Sequence, residues 1–327
     1  MIITRTPFRI SFCGGGSDLR SYYRHEEGAV VSSTINKYIY ITVNRLTRYF
    51  EHSISLKYSR TELVNSVEDI SHPIIREALK LTGVTDRVEI ASMADIPSGT
   101  GLGSSSAYAV SLLHALHTFK GEAVSAKKLA EEACEIEIEI LKDPIGKQDQ
   151  FIAAYGGIAH IRFIPDESVF VDPVICSPST KKALQDNLMI FYTGLTRRAG
   201  DILEVQKAQT VKKLEVLRAM KNLCGNLIET LSEPKSLSNF GEILHQGWLL
   251  KRSLVQEISN DVINEYYDRA RAAGALGGKL LGAGGGGFLL FYVEPQNHNK
   301  VRIALSDLTE LPFAFEPQGS KVIYISD

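Results

Sequence analysis

Cysteine is scarce and scattered: Cys13, Cys134, Cys176 and Cys224 are the four among 327 residues, with no C-x-x-C pair. A disulfide framework is disfavoured, and reduced thiols in a cytoplasmic protein are expected. Long apolar runs are also missing. The longest, such as Phe288 to Val293, are far too short to span a bilayer. The first residues, Met-Ile-Ile-Thr-Arg-Thr-Pro-Phe-Arg, hold no apolar core or cleavage site, so no signal peptide and no membrane association are expected. Neither sign of charge dominates. Lys and Arg number 36 against 38 Asp and Glu, a net charge of −2, which offers no general field for nucleic acid. What remains is an ordinary folded composition, 44% hydrophobic and 23% charged. The length suits two domains at roughly 150 residues each, each able to bury a core without staples.

Glycine is not abundant, but its placement is uneven. Fifteen of the 26 fall in four short stretches, 14–16, 99–103, 156–157 and 277–287. Such clusters mark tight turns or close approach of backbone to a ligand. Several of them beside strands or helix starts suggest one phosphate- or sugar-binding cleft assembled from distant parts of the chain.

Alternation and β-branched content predict strands within 2–13 and 29–58, and again near 88–93, 157–164 and 168–174. Helices are expected at about 73–81, ending near Gly83, at 105–119, and as an acidic amphipathic stretch over 126–142. Past residue 185 the texture changes. A strand at 188–192 leads into a long helical stretch over 199–231, then helices near 238–257 and 262–273. A glycine loop, a strand at 288–293, a helix near 298–308 and strands near 312–316 and 320–325 complete the chain. The expected domains are therefore 1–185 and 186–327, in an α+β fold.

Pro97-Ser98-Gly99-Thr100-Gly101-Leu102-Gly103-Ser104-Ser105-Ser106-Ala107 follows a strand and opens a helix. Unpaired N–H groups at a helix start carry positive partial charge, so this loop can wrap an anion. The alternative is a serine-capped helix after a flexible loop. No Lys-Ser/Thr follows, so it is not a Walker A loop. Gly282-Ala-Gly-Gly-Gly-Gly287 matches the dinucleotide fingerprint on paper but feeds a strand rather than a helix, so that reading is rejected.

Three segments in this order resemble the motifs of the GHMP kinases: Thr6 to Asp18 (Thr-Pro-Phe-Arg-Ile-Ser-Phe-Cys-Gly-Gly-Gly-Ser-Asp), Pro97 to Ala107, and Gly277 to Phe288. The resemblance spans almost the whole chain. Cys13-Gly-Gly-Gly-Ser-Asp18, Tyr192-Thr-Gly-Leu-Thr-Arg197, Trp248-Leu-Leu-Lys251 and Gly278 to Gly284 resemble the D-glycero-D-manno-heptose 7-phosphate kinase branch. L-fucose kinases are the alternative branch, and a non-catalytic sugar sensor the alternative class. The resemblance implies a ribosomal-protein β-α type N-terminal ATP-binding domain, a ferredoxin-like C-terminal domain, and transfer of the ATP γ-phosphoryl to a sugar phosphate with Mg²⁺. A homodimer is compatible with it.

By the same resemblance Asp149 matches the catalytic aspartate, which can take a hydroxyl proton. Arg9 takes the place of a basic residue near the transferred phosphoryl group. Pro97 through Ser106 form the ATP-phosphate cradle, and Ser105 and Glu137 are the Mg²⁺ ligands. Helical neighbours at i±4 support Glu137 independently. It lies between Ala133 and Leu141, on the border of the apolar stripe, whereas Glu135 and Glu139 have acidic neighbours and face solvent. Asp18, Gly15 and Gly16 would shape the sugar pocket, and Gly284 and Gly285 would close the cleft near substrate. Arg197, Arg198, Lys251, Arg252 and Lys279 are candidate partners of the substrate's phosphate, with Arg197 preferred. Asp143, directly before Pro144, reads as a turn residue. Trp248 reads as packing or as a surface on which a sugar could stack, and the histidines lack metal spacing.

Overall fold

A computed structural model describes residues 1–195, 199–233 and 236–326. In the first part of the chain, β1 (Ile2–Cys13) and β2 (Gly28–Arg45) flank one helical turn, α1 (Arg20–Tyr23). β3 (Ile54–Lys57) and β4 (Thr61–Val64) form a short hairpin, followed by α2 (Pro73–Thr82), β5 (Val88–Ala94), α3 (Ser104–Phe119) and α4 (Ala126–Cys134). α4 runs into a π-helix, Glu135–Ile140. Then come α5 (Gln148–Tyr155), β6 (Ile158–Phe163), β7 (Val169–Pro173) and α6 (Pro178–Asp186). The second part holds β8 (Leu188–Tyr192), α7 (Ala199–Gln209), α8 (Leu214–Ser232), α9 (Ser238–Arg252) and α10 (Asp261–Ala272). It ends with β9 (Ala275–Leu280), β10 (Phe288–Val293), α11 (His298–Ala304), β11 (Thr309–Glu310) and β12 (Lys321–Ile325).

Two sheets result. The eight-stranded one runs β12-β1-β2-β5-β3-β4, with β6 also on β2 and β7 on β6. β2 is long enough to take two strands on the edge away from β1: Gly28–Ser33 pairs with β6, and Ile39–Arg45 with β5. The second sheet is antiparallel, in the order β11-β8-β10-β9. Phe8, Ile10 and Phe12 of β1 share one core with α3, Phe12 meeting Phe240 of α9 and Phe315 edge-on, and the α3 run from Ala107 to Leu116 is apolar on nearly every face because it is buried on nearly every face. The same core takes in Leu223, Cys224 and Leu227 of α8 and Phe240 of α9, so it is continuous between the two sheets.

Several expectations need correction. The stretch 312–316 is not a strand. Phe315 makes one isolated bridge to Ile35, and Pro312 and Pro317 lack the N–H groups that a ladder needs. The stretch 199–231 is not one helix, because a 3₁₀ turn, Thr210–Lys213, separates α7 from α8. There the Thr210 hydroxyl donates back to the Gln206 carbonyl at 3.1 Å, a contact that competes with regular helix. The first residues of the third glycine segment are strand β9, not loop. Finally, β12 pairs with β1, so a cut at residue 185 would leave one strand of the first sheet in the second segment. Among the described residues no helix is long and apolar enough to cross a membrane.

Candidate active site

β1 carries Arg9 out of its apolar run and into a cleft. Its guanidinium holds Asp149 at the start of α5 in a two-point pair, Nε to Oδ1 at 2.7 Å and Nη2 to Oδ2 at 2.6 Å. Its third arm, Nη1, donates to the Gly101 carbonyl at 2.6 Å. Strand, helix and glycine loop are thereby fixed to one another through a single side chain. Gly103 makes this possible. Its φ is +74°, and a Cβ there would lie 3.1 Å from Arg9 Cγ and 3.2 Å from an Asp149 carboxylate oxygen. Gly103 also caps α3, and among the described residues no side chain bonds the first N–H groups of that helix. The serine-capped alternative therefore does not hold, and the start of α3 borders the cleft with no partner side chain among the described residues.

Behind Ser105 lies Glu137, fully buried on the π-helix. The Ser105 hydroxyl donates to Glu137 Oε1 at 2.7 Å, and the Gln150 amide donates to Oε2 at 2.7 Å. Burial pushes the Glu137 carboxyl up to about 7 despite these bonds. The wider π turn turns both Ile136 and Glu137 inward, while Glu135 is exposed and Glu139 pairs with Arg20 at the surface.

The first glycine segment supplies a further part of the cleft lining. Asp18 is buried, and its carboxyl is raised chiefly by desolvation. It accepts the Gly16 N–H at 2.8 Å and the Gln148 N–H at 3.5 Å. Gly146 leaves the room it needs, since a Cβ there would fall 2.0 Å from the Asp18 carboxylate. Gly14, at φ +81°, lies so close to Ala29 that a Cβ would meet the Ala29 carbonyl at 1.9 Å. The third segment packs against the second: a Cβ on Gly282 would come within 2.6 Å of Gly101 Cα.

All three segments line one cavity of about 340 Å³. Arg9, Gly15, Gly16, Asp18, Asp149 and Gly284 border it, as do Gly99, Gly101, Gly103 and Ser104 to Ser106. Other expected site residues lie elsewhere. Pro97 and Ser98 are exposed at the start of the loop, while Thr100 and Leu102 are buried beneath it. Gly285 does not border the cavity, and its N–H is taken by the Ile258 carbonyl at 3.0 Å. Arg197 and Arg198 lie outside the described residues. Arg252 lies over the Trp248 ring, and Trp248 is fully buried in the second core, which leaves packing as its role.

Lys251 and Lys279, two of the remaining cationic candidates, both line the cavity. So do residues the sequence reading passed over. Gln148 receives the hydroxyls of Ser11 at 2.8 Å and Ser32 at 3.0 Å, and Asp143, read as a turn residue, borders the cleft with its carboxyl raised by desolvation. The one available signal was the glycine of Pro144-Ile-Gly146, whose missing side chain is what Asp18 requires.

Residues 62–157 match the family described as GHMP kinases N terminal domain, and residues 203–310 match GHMP kinases C terminal. The chain belongs to the GHMP kinases. It is accordingly an enzyme, a phosphotransferase, and the two-domain GHMP kinase fold accounts for its two sheets. Its GHMP kinase relatives include D-glycero-alpha-D-manno-heptose 7-phosphate kinase of Campylobacter jejuni, 28% identical over 98% of both chains. L-fucokinase/L-fucose-1-P guanylyltransferase of Bacteroides fragilis is 25% identical over 95% of this chain and 36% of its own length. A solved GHMP kinase fold, titled a D-glycero-D-manno-heptose 1-phosphate kinase from Bacteroides thetaiotaomicron, superposes with a TM-score of 0.82 at 24% identity, covering all of both chains.

Proposed function

We propose that this GHMP kinase transfers the γ-phosphoryl group of ATP to the anomeric hydroxyl of D-glycero-D-manno-heptose 7-phosphate, giving the 1,7-bisphosphate. The observation that carries the reading is the convergence of Asp149, Arg9, the uncapped start of α3 and Asp18 on one cleft. The full-length similarity to a heptose 7-phosphate kinase supports the choice of sugar.

In this reading the sugar hydroxyl oxygen bonds to the γ-phosphorus as the bond to the β,γ-bridging oxygen breaks, and the hydroxyl proton passes to Asp149. Arg9 takes one lone pair on each Asp149 oxygen, so the carboxylate is aimed while a lone pair stays open for the proton. The N–H groups at the start of α3 receive phosphate oxygens. Asp18 and the backbone of Gly15 and Gly16 hold sugar hydroxyls, and Gly284 closes the cleft beside them.

The donor set suits Mg²⁺. Ser105 and the buried Glu137 supply one hydroxyl and one carboxylate, in a pocket where a cation would relieve the cost of ionising the acid. Among the described residues no cluster of three His, Cys, Asp or Glu could hold a metal by itself. That agrees with an ion that keeps its waters and binds phosphates. When bound, Mg²⁺ would neutralise charge on the phosphate oxygens. Ser105 and Glu137 would hold it, and Gln150 fixes the orientation of Glu137.

ATP turnover over a panel of heptose 7-phosphate, unphosphorylated heptose, L-fucose, galactose and mevalonate tests the proposal. Preference for heptose 7-phosphate is the expected result. Preference for L-fucose would move the chain to the fucose branch, and turnover of none would leave a sugar-binding protein.

A further inference from the structure

Two lysines in the cleft have no use in the chemistry described above. Lys251 lies in the last turn of α9 and Lys279 in β9, and they are only 8% and 7% exposed. Among the described residues their bonds go to main-chain carbonyls alone. Lys251 Nζ donates to Leu280 at 3.3 Å and to Gly282, and Lys279 Nζ donates to Phe12 at 3.1 Å. Among the described residues neither forms an ion pair. An ammonium has three donors, so one N–H on Lys251 and two on Lys279 are left over beside an open cavity.

A buried cation without a counter-charge is costly. Asp149 and Asp18, which line the same cleft, do not supply one. Asp149 is taken by Arg9, and Asp18 is occupied by backbone amides and acts on Lys251 only weakly at a distance. Burial accordingly pushes both ammonium groups down, Lys279 to about 8; Lys279 and Arg9 add repulsion at Lys251, and Arg9 adds it at Lys279, where the Cys13 and Cys224 thiols pull the other way. The cavity thus has a cationic side with no anion of its own.

We infer that Lys251 and Lys279 form a phosphate subsite, in which the three spare N–H groups receive the oxygens of a phosphate dianion brought by a ligand. The inference deepens the proposed function and rests on it for the source of that phosphate, which is either the sugar's own group or the γ-phosphoryl group of ATP. The subsite itself can be tested without any turnover.

Inorganic phosphate is titrated calorimetrically into the full chain, its Lys251→Met and Lys279→Met variants, and Lys279→Arg. Phosphate should bind the parent, weaken about tenfold or more in each methionine variant, and be partly restored by arginine. Without phosphate, the methionine variants should melt at or above the parent temperature, because a buried unpaired charge has been removed. No phosphate binding to the parent, unchanged binding in the variants, or phosphate-free melting well below the parent would overturn the inference. The last result would assign the lysines to the fold.

Kinetics then separate the sources. A KM for heptose 7-phosphate that rises at least tenfold more than that for the unphosphorylated heptose identifies the sugar's phosphate. A raised KM for ATP with both sugars losing alike identifies the γ-phosphoryl group. No change in any of these constants would also overturn the inference. A parent that binds phosphate but turns over no heptose phosphate would sink the proposed function and leave the subsite standing.

Discussion

Arg9 and Lys279 reach the same cleft, each from a strand and each almost wholly buried. Arg9 meets a carboxylate at 2.6 Å and a carbonyl besides, whereas among the described residues Lys279 meets one carbonyl and no acid. The side of the cleft built from β1, α3 and α5 has its charges answered by the protein, and the side built from α9 and β9 does not. A paired charge is fixed in place before any ligand arrives, which suits a group that must aim another. An unanswered charge costs stability until a ligand supplies its counterpart, which suits a group that must select.

The largest test of that contrast is Asp149→Asn, which removes the acid from the answered side. Turnover should fall about 10²- to 10⁴-fold, the usual contribution of a positioned acid or base, while ATP affinity stays within threefold. Steady-state rates and nucleotide titration measured separately decide this. A turnover within threefold of the parent would mean that Asp149 only anchors Arg9.

Two buried groups then predict opposite pH slopes in the ligand-free protein. The Glu137 carboxyl is raised from 4.5 to about 7 in the fold, so the native state holds a proton that the unfolded chain has lost. Its contribution to stability is full below pH 4.5 and disappears as pH rises through 7, by up to about 3 kcal/mol. Lys279 is lowered from 10.5 to about 8, so between those values the unfolded chain holds the extra proton and stability rises with pH, by a similar amount at most. Denaturant unfolding across pH 4 to 10 should show the acid-side slope flattened by Glu137→Gln and the alkaline slope flattened by Lys279→Met. If each variant keeps the parent slope, the two groups are better solvated than their burial implies.

A smaller effect separates neighbours on one acidic helix. Glu137→Gln should raise the Mg²⁺ concentration needed for half-maximal activity about tenfold, on the scale of one lost charged ligand contact. Glu139→Gln should leave it within twofold, since Glu139 pairs with Arg20 at the surface. Equal responses in a Mg²⁺ titration would remove Glu137 from the metal's surroundings.

Much of this was legible in the chain because glycine and periodicity are local signals. The three glycine segments do face one cleft, and neighbours at i±4 were enough to turn Glu137 inward and Glu139 outward. What was not legible depends on contacts between distant residues. Charge in a sequence does not reveal burial, so Lys251 and Lys279 could not be told from Arg252, which lies against Trp248. Asp143 looked like any residue before a proline. The π-helix left no mark in the pattern of Glu135 to Ile140, since widening a turn shifts hydrogen bonds without changing which residue types alternate. Nor could spacing show that Asp18 needs a glycine at position 146.

The pairing of β12 with β1 sets an order of events during synthesis. β1 is synthesised long before β12, so the edge that β12 covers stays bare until Ile325 has been added. In the interval the nascent chain presents the unpaired N–H and C=O groups of its own first strand, an invitation to any other extended segment nearby. The strand that carries Arg9 is therefore sealed on that edge only after every other described strand has been made, and a chain truncated shortly before residue 321 would keep all three glycine segments but have an open sheet.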